Sequence, residues 1–126
     1  MNNSKIKICG IKKIETLECC IKNNINYFGL IFYKKSPRYV SYENALDLIN
    51  YSKNKNISSV GVFVNENIEY LNKMLKKLHF NYVYFGSSLQ YIKDYEKILK
   101  ILFKKKIKYF YISATSFFYS DILGDK

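Results

Sequence analysis

Several residue types are scarce in this chain: it has no tryptophan, one proline, one histidine and five glycines in 126 residues. Arginine occurs once, at Arg38, although basic residues number 21. There is no uncharged apolar run of about 18 residues, which excludes a conventional membrane-spanning helix from the reading. Residues Met1 to Lys5 lead into a very short apolar stretch before a polar break, so no secretory leader is expected. The three cysteines, Cys9, Cys19 and Cys20, are an odd number without an export signal. That points to a reducing cytoplasm rather than a disulfide framework. Cys19 and Cys20 have no histidine or acid at ligand spacing, so they read as packing residues and no metal site is expected.

What is abundant is lysine, asparagine, isoleucine, tyrosine and phenylalanine. The formal charge of +11 raises the possibility of a nucleic-acid partner. The lysines are nevertheless spread along the chain, and the only dense run is Lys104 to Lys106. The abundant residues also share A/T-rich codons, so a base-composition bias produces the same protein. Scattered lysine gives non-specific phosphate affinity at most, and no specific nucleic-acid or membrane partner is expected. In such a chain, the surviving arginine, proline and glycines carry more information than usual.

Hydrophobic periodicity organises the sequence into alternating elements. Residues 5–9 alternate strictly, with Ile6 and Ile8 on one face and Lys7 and Cys9 on the other, until Gly10 breaks the strand. Ile14, Leu17, Cys20 and Ile21 recur at helical spacing through residue 24. Residues 27–33 form a continuous apolar run, as in a strand covered on both faces. Ser41 can cap a helix through Ala45, Leu46, Leu48 and Ile49. Residues 58–64 are a third strand, followed by Asn65 or Asn67 as a cap and a stripe of Leu71, Met74, Leu75 and Leu78. Residues 81–85 make a fourth strand and residues 88–105 the longest helix. Residues 108–113 make a fifth strand. Five strand–helix alternations with short connections mean βαβ units, right-handed crossovers and a parallel α/β sheet.

Parallel α/β folds place their chemistry beyond the C-terminal strand ends. The first two ends are the informative ones. Cys9 ends its strand on the same face as Lys7. A cation near a thiol favours the thiolate, the form that acts as base or nucleophile. Read from position alone, Cys9 is more simply a small buried hydrophobe, as most free cysteines are. Lys34 to Tyr39 holds the only proline and the only arginine. A guanidinium recognises a carboxylate with two parallel hydrogen bonds, which lysine cannot copy. Arg38 is therefore a candidate binder of a carboxylate or phosphate, against the alternative of a solvated loop charge. His79 falls between a helix and the fourth strand, at the end opposite the strand tips, and reads as a surface residue.

Three stretches together resemble the phosphoribosylanthranilate isomerase family. They are Lys5-Ile6-Lys7-Ile8-Cys9-Gly10-Ile11, Gly29 to Ser41 (GLIFYKKSPRYVS) and Val60-Gly61-Val62-Phe63-Val64-Asn65. They come in the family's order and at compatible spacing, over roughly residues 5 to 67. The resemblance implies a (βα)8 TIM barrel and a cofactor-free step of tryptophan biosynthesis. That step is the Amadori rearrangement of N-(5-phosphoribosyl)anthranilate to 1-(2-carboxyphenylamino)-1-deoxyribulose 5-phosphate. It needs an acid at the furanose ring oxygen and a base for the C2′ proton. By position in the motif, Cys9 matches the general base and Arg38 the residue that holds the anthranilate carboxylate. Lys7 joins Arg38 as an expected substrate-binding residue.

The departures from the family pattern are equally specific. Tyr84-Phe85-Gly86-Ser87 stands where the family carries a Gln-Leu-His-Gly signature. The family's acid is an aspartate at the end of strand six, and element count stops at strand five. In a shifted register Ala114 takes that place, and Asp121 to Lys126 echo the following glycine-rich loop. The phosphate site after strands seven and eight is missing in both registers. A whole barrel takes about 200 residues or more. Residues 1–126 are therefore expected to be a single incomplete barrel domain of about five βα units. Three readings follow: an isomerase completed by a homo-oligomer or complementing chain, a non-catalytic remnant, and, as a lesser alternative, a basic nucleic-acid-binding module.

Overall fold

A computed structural model of the chain describes residues 4–64, 66, 68–86, 95–104 and 109–113. Its elements run β1 (Lys7–Cys9), α1 (Ile14–Lys22), β2 (Tyr27–Ile31), α2 (Tyr42–Ser52) and β3 (Ser58–Phe63). They continue with α3 (Ile68–Lys77), β4 (Tyr82–Gly86), α4 (Tyr95–Lys104) and β5 (Tyr109–Ser113). The five strands and four helices expected from periodicity are all present. Ser41 caps α2 as expected, its hydroxyl accepting from the Asn44 amide at 3.2 Å. The candidate caps Asn65 and Asn67, and the expected start of the fourth helix at 88–94, lie outside the described residues. Among the described residues no helix is long and apolar enough to cross a membrane.

All five strands are parallel, in the order β1-β2-β3-β4-β5. Right-handed crossovers between successive neighbours put every helix on the same face. An order that never reverses is that of a barrel wall, whereas a doubly wound sheet reverses at its switch point. The described sheet is accordingly an arc of a (βα) barrel. The same order makes Tyr109–Ser113 the fifth strand, beside β4.

The two faces of the sheet are packed very differently. Toward the helices, Phe28, Leu30, Phe32, Phe63, Val83 and Phe85 meet Leu17, Leu48, Leu71, Leu78 and Leu102 in one continuous core. Phe32 and Phe63 stack at 5.2 Å between ring centroids, and Phe80 packs edge-on against both. The apolar runs of β2 and β3 carry no polar residue to mark a side, and the sequence makes Phe32 and Phe63 candidates for the inner face of the barrel. They lie instead under the helices, with the inner face carrying Ile31, Val60 and Val62. Cys9, Tyr27, Tyr33, Tyr82 and Tyr84 pack around that smaller cluster. At the N-terminal strand ends, Ser59 donates to Asn81 Oδ1 at 3.2 Å and accepts from the Asn81 amide at 3.3 Å.

The position of Phe63 has a measurable consequence. Phe63→Ala removes a 1%-exposed ring from the main core and should cost about 3–5 kcal/mol in chemical denaturation. A loss below about 1 kcal/mol would mean that the ring is not part of that core.

The edges of the arc have a second consequence. Among the described residues β1 and β5 each have a strand neighbour on one side only. On and beside β1, Ile6 is 49% and Ile8 38% exposed. Unpaired edges with apolar flanks promote association, and charge slows aggregation without covering them. The purified 126-residue chain should sediment at low micromolar concentration as species larger than a monomer. A single monomeric boundary with cooperative unfolding would contradict this.

Candidate functional site

β1 is short, and β2 fixes where it ends. The Ile6 amide donates to Asn26 Oδ1 at 2.8 Å, and the Asn26 and Tyr27 amides return to the Ile6 carbonyl. From there the register runs Lys7↔Tyr27, Ile8↔Phe28, Cys9↔Gly29. Gly10 then turns the chain with φ +83°, a conformation that side chains resist. The Gly10 and Ile11 amides both reach the Gly29 carbonyl, at 3.0 and 3.1 Å.

This geometry places Cys9 half-buried on the inner face. A Cβ at Gly29 would lie 2.6 Å from the Cys9 Sγ, so the thiol occupies the space that the missing side chain leaves. Lys7, two residues earlier and so on the same face, holds its ammonium 4.5 Å from the Tyr84 ring centroid. Tyr84, a departure from the family pattern and a candidate for the inner face, does lie on that face. Its pairing with Lys7 was not foreseen, although both fall at alternating inner-face positions of β1 and β4.

Arg38 comes from the segment after β2. Ser36 organises that segment: its amide donates to the Tyr33 carbonyl at 2.9 Å, and its hydroxyl accepts from the Arg38 amide at 3.1 Å. The chain then rejoins β2, the Val40 amide reaching the Ile31 carbonyl at 2.9 Å. Arg38 Nη1 donates to the Cys9 carbonyl at 3.2 Å. Its stem crosses Gly10 so closely that a Cβ there would stand 2.5 Å from Cδ. Cys9 and Arg38 thus meet at the C-terminal ends of β1 and β2. A guanidinium has five N–H donors, so one bond to a carbonyl leaves capacity for a two-point carboxylate contact.

The other candidates lie elsewhere. His79 is exposed and lines a cavity of about 460 Å³ with Ser58 and Asn81, at the opposite end of the strands. Cys20 is buried in the core, where burial raises its thiol pKa, and Cys19 is exposed. The packing role expected of both therefore fits Cys20 alone. Ala114 and Asp121 lie outside the described residues. Glu66, beyond β3, is partly buried, and burial raises its carboxyl pKa against the opposing pull of Lys34. Tyr70, near it on α3, is pushed up to about 12 by burial, then by Glu66 and Tyr39.

Against known proteins, the family profile described as N-(5'-phosphoribosyl)anthranilate (PRA) isomerase matches residues 6–119. The isomerase of that name from Aquifex aeolicus is 42% identical over 71 residues, covering 56% of this chain and 35% of that protein. The tryptophan biosynthesis protein TrpCF of Helicobacter pylori is 37% identical over 94 residues, 74% of this chain and 20% of that one. Among solved structures, monomers generated from the dimeric phosphoribosylanthranilate isomerase of Thermotoga maritima superpose with a TM-score of 0.69 at 29% identity. That likeness covers 85% of this chain and 51% of the other. The matched stretch is thus about a third of the Aquifex relative's length.

The environment of Glu66 sets a pH dependence. A carboxyl whose folded pKa is raised contributes stability below its unfolded pKa and loses it as pH rises through the folded value. Glu66→Gln removes that loss. The variant should melt higher than the parent near pH 7, and the gap should close below the ordinary glutamate pKa of about 4.3. Thermal melts at the two pH values check this. A variant less stable at pH 7 would show that the attraction to Lys34 outweighs burial.

Proposed function

The chain belongs to the N-(5'-phosphoribosyl)anthranilate isomerase family, and from that premise we propose that it supplies the base and carboxylate-binding part of such an isomerase. The observation that carries the reading is the junction of Cys9 and Arg38 at the ends of neighbouring parallel strands. Its substrate is N-(5-phosphoribosyl)anthranilate. Arg38 grips the anthranilate carboxylate while its remaining bond holds the Cys9 backbone, so the group that positions the substrate also braces the base. An acid protonates the furanose ring oxygen, and the C1′–O bond opens to an iminium. The Cys9 thiolate then takes the C2′ proton, giving an enolamine that tautomerises to the 1-amino-2-ketose. Lys7, beneath the thiol and poised over Tyr84, adds positive charge to the inner face where the anionic substrate enters.

The acid and the phosphate cradle of such a site come from further βα units of the barrel, in a continuation of the same polypeptide or in a complementing chain. The Aquifex relative is about three times as long as the stretch it shares with this chain, which leaves room for those units. The 126 residues alone then turn over substrate far below the ordinary enzymatic range of about 1–1000 per second. Each missing group costs about two or more powers of ten.

The test supplies the family's remaining βα units as a separate polypeptide and measures isomerisation. Complemented activity should fall at least about 100-fold in Cys9→Ala. In Arg38→Lys it should show mainly a raised KM, since lysine keeps the charge but not the two-point geometry. Full activity in both variants would remove these residues from the site. Unchanged inactivity on complementation would favour a non-catalytic remnant.

A further inference from the structure

A second cavity, of about 270 Å³, lies among residues of α2, α3 and the segment after β2, and shares no lining residue with the Cys9–Arg38 junction. Its walls are the rings of Tyr39, Tyr42 and Tyr70, with Lys34, Lys73 and Lys77 around them. Met74, only 4% exposed, also lines it. Lys73 and Lys77 are four residues apart on α3 and so share a face. Lys77 holds its ammonium 5.2 Å from the Tyr42 ring centroid. Ser41 and Glu43 also line the space.

We propose that this cleft is a second ligand site, taking a small aromatic carboxylate. Ring faces alone would attract a cation, but three ammonium groups repel one. Two carboxylates temper that charge: Glu43 in the lining, and Glu66, which interacts with Lys34. The lysines still outnumber them, and Lys73 and Lys77 project from one helix face. Tyrosine rings and a buried methionine suit a flat apolar body, with the anionic head toward the lysines. The volume, about 270 Å³, is just below the usual range for small-molecule sites of about 300–1,000 Å³, which suits a single ring better than a nucleotide. Tyr39 joins the cleft to the active-site loop, being the neighbour of Arg38 and bridged to Ile31 of β2.

The probe is benzoate, with inorganic phosphate in parallel, and the readout is methyl NMR of the methionines. The chain has two of them, Met1 and Met74, so the buried one is a built-in reporter. Benzoate should shift the Met74 methyl through its ring current and leave Met1 unmoved. The same titration should hold in Arg38→Ala, which disables the carboxylate site at the strand ends. In Lys73→Glu/Lys77→Glu, affinity should drop at least tenfold. Thermal melts establish that this variant, altered at two exposed positions, is folded. Loss of binding in Arg38→Ala with retention in the lysine variant would assign benzoate to the strand-end site and overturn the proposal. So would phosphate binding that benzoate does not displace, or an unmoved Met74 methyl at millimolar benzoate.

Discussion

The pairing of a three-residue edge strand with β2 is the contact on which the site depends. β1 has little of its own to hold it, with Ile6 and Ile8 largely exposed and the strand at the end of the sheet. It is kept in place by backbone and amide bonds around Asn26 at one end and by the Gly29 carbonyl at the other. Gly29 makes the close approach possible, because any side chain there would take the space of the Cys9 thiol. A one-residue slip would reverse the facing of the whole strand. It would carry Cys9 and Lys7 to the helix side and leave Arg38 bonded to a different carbonyl.

That dependence explains why the two faces of the sheet differ so much. The helix-side face is filled by phenylalanines and leucines that are almost fully buried, and it provides the hydrophobic stabilisation. Among the described residues the inner face holds three buried aliphatics, ringed by half-buried tyrosines, a thiol and a lysine. Polar-tipped rings suit such a surface, since they bury apolar area while leaving a hydroxyl for water or a ligand. Stability and chemistry are thereby assigned to opposite sides of the same strands, and the two-residue alternation of each strand is what separates them.

Much of this could be read from residue order. The alternation Ile6-Lys7-Ile8-Cys9 announces its two faces, and the βα rhythm announces a parallel sheet. The scarcity of arginine and proline marks out Pro37 and Arg38, in the segment that the structure brings back to β2. The facing of Phe32 and Phe63 was not legible, because a strand buried on both sides has no polar residue to mark its outer side. Lys7 and Tyr84 lie three strands apart in the sheet. Only the curvature of the arc brings an ammonium from the first strand over a ring from the fourth, and no local pattern records curvature. The space Gly29 leaves for a thiol is equally non-local: its cause lies twenty residues away in the chain.

The same curvature bears on how the proposed chemistry divides along the chain. Acid and base must approach the sugar from opposite sides, and a barrel provides this by drawing them from opposite walls. The described arc provides one wall, where the proposed base, Cys9, and the proposed carboxylate grip, Arg38, are joined through a single guanidinium–carbonyl bond. Joining these two functions is physically reasonable, since the base must stand a fixed distance from a substrate that is anchored by its carboxylate. The acid must also stand at a fixed distance from its target, but the bound substrate sets that distance and no bond to Arg38 is needed for it. It has only to reach the ring oxygen, and can come from later strands or from another polypeptide that closes the arc. An isomerase site of this kind can therefore be separated between strand five and strand six without cutting the contact that sets its geometry.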